Sequence, residues 1–159
     1  MNKPFYIILF ILLFCCKAKT QTNLLYNGDF EMYSSCPTNV TSPAVVPYEI
    51  TKCLGWTAPT YGTSDYFNAC DNVINGIVGV PKNQLGYQLS KSGSAYCGFW
   101  AFSYGGVAGC YSGQFWWEYI QGQFTHPLIA NHTYSIGFYF SLANGSSLAV
   151  KPTGGACPG

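Results

Sequence analysis

Between Thr133 and Leu142 apolar and polar residues alternate without a break. Tyr134, Ile136, Phe138, Phe140 and Leu142 fall on one face, and Ser135, Gly137, Tyr139 and Ser141 on the other. A period of two over this length predicts a half-buried antiparallel strand. A second strand is expected from about Trp117 to Phe124, with Ile120, Gly122 and Phe124 sharing one face. A third runs from Ala95 to Phe102, rich in aromatic residues and followed by Gly105-Gly106. Shorter strands are expected at Leu24–Tyr26, around Trp56 and at Gly86–Leu89. Turn chemistry separates them: Asn27-Gly28-Asp29, Ser34 to Pro43, Asn75-Gly76, Lys91 to Ser94, and Ala130-Asn131. After the first twenty residues no segment longer than a turn or two has a helical period. Short strands between turn-rich loops predict an all-β antiparallel β-sandwich rather than a parallel α/β sheet.

The first twenty residues have a different pattern. Lys3 precedes an unbroken apolar run of 12 residues, Phe5 to Cys16. Such a run is too short to cross a bilayer core of roughly 30 Å as a helix, but it suits the apolar part of a signal peptide. Ala18 and Thr20 place small residues before a cleavage point at Gln21. The competing readings are a retained membrane anchor and lipidation at Cys15 or Cys16; Phe14 stands where a small residue normally precedes a lipidated cysteine. The expected organisation is a signal peptide over 1–20, a β-sandwich module over 21–145 and an irregular tail over 146–159, with no membrane span in the mature chain. The tail, Lys151 to Gly159, has no apolar periodicity. A sandwich that stops just after its best strand leaves that strand unpaired. The chain is therefore expected to be truncated or frameshifted relative to a longer ancestor, lacking its C-terminal closing strand.

Cleavage also changes the charge. Of seven basic residues, Lys3, Lys17 and Lys19 leave, so four lysines face six acids, a net of −2. With no arginine and no basic patch, nothing is available to neutralise a phosphate backbone or an anionic bilayer, which excludes nucleic acid as a partner. Six cysteines remain: Cys36, Cys53, Cys70, Cys97, Cys110 and Cys157. In an exported chain an even count implies disulfides, with fifteen pairings open. No C-x-x-C spacing favours zinc, and His126 and His132 lie far from any tight cysteine cluster.

Catalytic constellations are scarce. Asp29, Glu31, Glu49, Asp65, Asp71 and Glu118 supply carboxylates but form no recognisable acid–base pair. No G-x-S-x-G occurs, and both histidines sit near turns. The aromatic residues are better candidates for function. Trp56, Trp100, Trp116 and Trp117, with Tyr61, Tyr66, Tyr104, Tyr111 and Tyr119, offer rings that either fill a core or stack on the apolar face of a sugar. Trp56, just after Cys53, is expected in the core. Adjacent strand residues point to opposite faces, so at most one of Trp116 and Trp117 is in the core and the other is the best sugar contact. Tyr66 and Trp100 complete the candidate ligand-binding set.

The opening Asn23-Leu24-Leu25-Tyr26-Asn27-Gly28-Asp29-Phe30-Glu31 resembles the first strand of carbohydrate-binding-like jelly rolls with the galactose-binding fold. The wider pattern includes Ser35-Cys36-Pro37, Gly55-Trp56, Asp65-Tyr66-Phe67-Asn68-Ala69-Cys70, Val80-Pro81-Lys82-Asn83, Gly86-Tyr87-Gln88, Ser92-Gly93-Ser94-Ala95-Tyr96 and Glu118-Tyr119-Ile120-Gln121. Together these resemble the N-terminal module of Bacteroidetes secreted and OmpA-family outer-membrane proteins, over nearly all of Asn23 to Ala143. The resemblance implies a jelly roll at the cell envelope with no catalytic residues. It further implies a Cys36–Cys70 disulfide and a structural calcium held through Asp29 or Glu31.

The expected function is a non-catalytic binding or interaction module, exported to the periplasm, outer-membrane surface or exterior, with a polysaccharide or another envelope protein as partner. A structural spacer, the remnant of a larger outer-membrane protein, is the alternative. A secreted hydrolase ranks below both.

Overall fold

The computed structural model describes residues 22–40, 48–60, 62–72, 76–101, 103–104 and 115–143, with the main chain alone at 103–104 and 115–116. The expected signal peptide and tail, Cys110 and Cys157 lie outside them.

The described residues form an all-β structure with one 3₁₀ turn, Glu49–Lys52, and no α-helix. The strands are β1 (Trp56–Thr57), β2 (Asp65–Asn68), β3 (Lys82–Asn83), β4 (Gly86–Tyr87), β5 (Ala95–Gly98), β6 (Ser103–Tyr104), β7 (Phe115–Trp116) and β8 (Gln121–Gly122). They pair antiparallel, β1 with β8, β2 with β5, β3 with β4 and β6 with β7. Isolated bridges join Leu25 to Phe124 and Tyr33 to Cys53. No helix among the described residues is long and apolar enough to cross a membrane.

The core forms where β2 meets β5. All four residues of β2 are buried, so both of its faces are covered. Tyr66 packs with Ile50, Cys53 and Ala95, and Phe30, Trp56, Cys97 and Ile120 close round them. On the other face Phe67 stacks on its cross-strand partner Tyr96, with ring centroids 5.2 Å apart. Burying each of these rings stabilises the fold by roughly 2–3 kcal/mol. The Tyr66 hydroxyl donates to the Phe30 carbonyl at 2.7 Å and accepts from the Asn68 amide at 2.7 Å, so its polar end is satisfied.

Asn27 ties the N-terminal segment to this core. Its φ of 51° lies in the left-handed region, which asparagine tolerates better than most residues. The buried side chain donates to the carbonyls of Met32 and Leu54, at 2.8 and 2.9 Å, and accepts from the Met32 amide at 2.9 Å. Its own carbonyl receives the Trp56 indole N–H at 2.8 Å. Asn27→Ala leaves three main-chain groups without their partner and is expected to destabilise the protein by about 2 kcal/mol in urea unfolding; a loss under about 0.5 kcal/mol would show that water replaces the amide.

The Cys36–Cys70 disulfide is formed, with Cα atoms 5.9 Å apart. Cys53 and Cys97 are free thiols, which corrects the expectation that an even cysteine count pairs throughout.

Two expected strands are also corrected. The run from Trp117 to Phe124 is reduced to β8, and Glu118 is the reason. Its amide donates to the Trp100 carbonyl at 3.0 Å, but the Trp100 amide bonds to the Glu118 carboxylate at 2.8 Å instead of a main-chain carbonyl. The side chain takes the place of a ladder bond, and regular pairing stops. The segment Thr133–Leu142 is not a half-buried strand either. Ile136, Phe138, Phe140 and Leu142 are 90%, 77%, 85% and 88% exposed. Contact with the rest of the protein comes through the opposite face, where Ser141 donates to the Gln88 side-chain oxygen at 2.7 Å and Lys91 sits 4.4 Å over the Tyr139 ring.

Candidate functional site

Residues 117–120 alternate between surface and interior. Trp117 and Tyr119 are 49% and 50% exposed, whereas Glu118 between them is buried. Side chains two apart in extended chain share a face, so the two rings lie on one side and the carboxylate on the other. Glu118 accepts from the Thr63 amide at 3.0 Å, from the Thr63 hydroxyl at 2.5 Å and from the Trp100 amide at 2.8 Å. With these three donors the buried Glu118 carboxylate holds three segments together. Gly62 lies close beside it: a Cβ there would meet the Glu118 Cα at 3.1 Å, so a larger residue would need a small shift of the main chain. The Ser64 hydroxyl donates to the Tyr119 carbonyl at 3.0 Å, so the main chain beneath the two rings is held from below. Phe99, next to Trp100, is also half-exposed.

The ligand-binding candidates therefore separate. Trp117 is at the surface and Trp100 is partly buried. The main chain of Trp116 pairs with Ser103, and its side chain lies outside the described residues. Tyr66 is corrected: fully buried, with its hydroxyl committed inside the core, it is closed to a surface ligand. No protein-family model, curated protein or solved structure matches the chain.

Other chemistry is less supported by the arrangement. Asp29 is exposed on the turn after Asn27. Glu31 gives one carboxylate oxygen to the Ser94 amide at 2.7 Å and the other to the Ser94 hydroxyl at 3.0 Å. This contact fixes the Lys91–Ser94 turn, where Gly93 has φ +60° and a Cβ would fall 2.3 Å from Glu31. Calcium takes 6–8 oxygens, and among the described residues no group of three His, Cys, Asp or Glu converges on a point. Asp29 and Glu31 alone do not fit that ion. Cys53 accepts from the Asn27 amide at 3.2 Å and donates to the Phe30 carbonyl at 3.8 Å. Burial pushes both Cys53 and Cys97 up to about 12, so each is a thiol at neutral pH and a poor nucleophile.

The organising role of Glu118 was not anticipated from the sequence, where it stands as one of six carboxylates that form no recognisable pair. The available signal was its position: an acid flanked at i−1 and i+1 by aromatic residues, on the inward phase of an expected strand.

Proposed function

We propose that the chain is a non-catalytic, exported binding module of jelly-roll type that takes a glycan on the surface formed by Trp117 and Tyr119. The observation that carries this reading is the placement of the two half-exposed rings on one side of a segment held rigid from below by Glu118 and Ser64. Rings held in place lose little entropy on binding, and an aromatic face matches the apolar C–H face of a pyranose. The antiparallel pairs fit a β-sandwich. The Cys36–Cys70 bond fits an oxidising compartment, in keeping with export to the envelope or beyond.

Trp117→Ala and Tyr119→Ala are each expected to weaken polysaccharide binding at least tenfold on a glycan array or in pull-down, leaving the unfolding midpoint nearly unchanged because both rings are half in water. Retention of full binding by the double variant would remove the stacking site.

A further inference from the structure

Strand β8 carries an open edge. The Gln123 amide donates to the Gly55 carbonyl, and the Gln123 carbonyl accepts from the Tyr26 amide at 2.8 Å. The Thr125 amide donates to the Leu24 carbonyl at 2.8 Å. All of these bonds run to one side of the strand, through its odd-numbered residues. The amides and carbonyls of Gly122 and Phe124 therefore point to the other side, where no strand lies among the described residues. Phe124 is half-exposed, and with Tyr26, Gln123 and Thr125 it lines an open hollow of about 330 Å³.

The same chain carries a segment that pairs with no strand among the described residues. Thr133–Leu142 is held to the protein by Tyr139 and Ser141, on its odd face, against Lys91 and Gln88. Its even face, Ile136, Phe138, Phe140 and Leu142, looks into solvent. Among the described residues the chain thus presents both a sheet edge without a neighbour and an exposed apolar segment.

We infer that a second copy of this chain covers these features: segment 133–142 of each copy adds antiparallel to the open edge of β8 in the other, setting its even-numbered side chains over Phe124 and the hollow. Reciprocal exchange is the self-complementary arrangement of a two-fold dimer and needs no outside partner. The area is sufficient. The four side chains from Ile136 to Leu142 expose on the order of 650 Å² in each copy, which counted twice falls within the range of standard specific interfaces. The added strand also satisfies the main-chain groups of Gly122 and Phe124. This inference does not depend on the glycan reading.

The test is sedimentation velocity on the whole chain with Cys36–Cys70 oxidised, combined with hydrogen exchange. A dimer is expected at micromolar concentration, with amides of Gly122 and Phe124 protected in it. Ile136→Lys, Phe140→Lys and Phe124→Asp should each give monomers with these amides unprotected. Ser135→Lys, on the opposite face, should leave the dimer intact. A wild-type monomer throughout the concentration series overturns the inference. So does a dimer that survives Ile136→Lys with Phe140→Lys, or one in which the Gly122 and Phe124 amides exchange freely.

Discussion

Replacing Cys36 and Cys70 together by alanine is expected to destabilise the folded protein by about 3–4 kcal/mol. The two are 34 residues apart in sequence, and the loop they close carries the 3₁₀ turn, β1 and β2. That loop therefore contains most of the core: Ile50, Cys53, Tyr66 and Phe67. Without the bond the unfolded chain regains the entropy of an open loop of this length, and the folded chain gains nothing in return. Local contacts do not replace it. The Cys70 amide donates to the Asn68 side chain at 2.8 Å, within its own end of the loop, and at the other end the Thr38 amide donates to the Glu49 carboxylate at 3.1 Å, inside the same loop. Urea unfolding of the double variant measures the effect. A loss below about 1 kcal/mol would mean that the unfolded chain stays compact around this loop.

The turns and the short strands were the most legible parts of the fold. The Asn27-Gly28-Asp29 turn, the Lys91–Ser94 turn, and strands near Ala95, Gly86 and Trp56 all fall where residue type places them. At these positions a local cause suffices: asparagine tolerates φ 51°, and Gly93 is the residue that fits against Glu31. The Cys36–Cys70 pairing was not legible from spacing, which leaves fifteen choices; it was implied by a family resemblance that none of the comparisons supports.

The strongest periodic signal, Thr133–Leu142, misled for a physical reason. Alternation states which side chains share a face, but whether that face is buried depends on a neighbouring strand, which a local pattern does not specify. Glu118 and Asn27 were missed for a related reason. Their roles come from donors distant in sequence, at Thr63 and Trp100 for the first and at Met32 and Leu54 for the second. In the candidate site, the alternation rule separated Trp117 from its neighbours in part, and exposure decided the rest. Tyr66 lies on a strand buried on both faces, a situation that a four-residue run cannot signal.

Stability is expected to fall steeply above pH 9 because of the buried thiols Cys53 and Cys97. Burial raises Cys53 and Cys97 from the usual 9.0 to about 12. The Asn27 amide opposes the shift at Cys53, and the carboxylates of Asp29 and Glu31 add to it. Below about pH 9 both thiols are protonated in the folded and unfolded states alike, and their contribution is fully present. Above that pH the unfolded chain loses these protons while the folded chain keeps them. The unfolded state then binds fewer protons, so stability declines as pH rises and the contribution is lost as pH passes through about 12. Each thiol contributes a slope of about 1 kcal/mol per pH unit, so both together remove on the order of 4 kcal/mol over two units. Tyr66 and Tyr96 are raised by burial as well and add to the decline at the upper end. Urea midpoints across a pH series read the slope, and Cys53→Ala with Cys97→Ala should flatten its lower part. Cys53 and Cys97 should also resist iodoacetamide in the native protein at mildly alkaline pH, read residue by residue from peptide maps, where an exposed cysteine reacts readily. Fast labelling of Cys53 and Cys97 together with a flat stability profile would mean that these two sulfurs are reached by water, and the core drawn around Tyr66 would have to be open there.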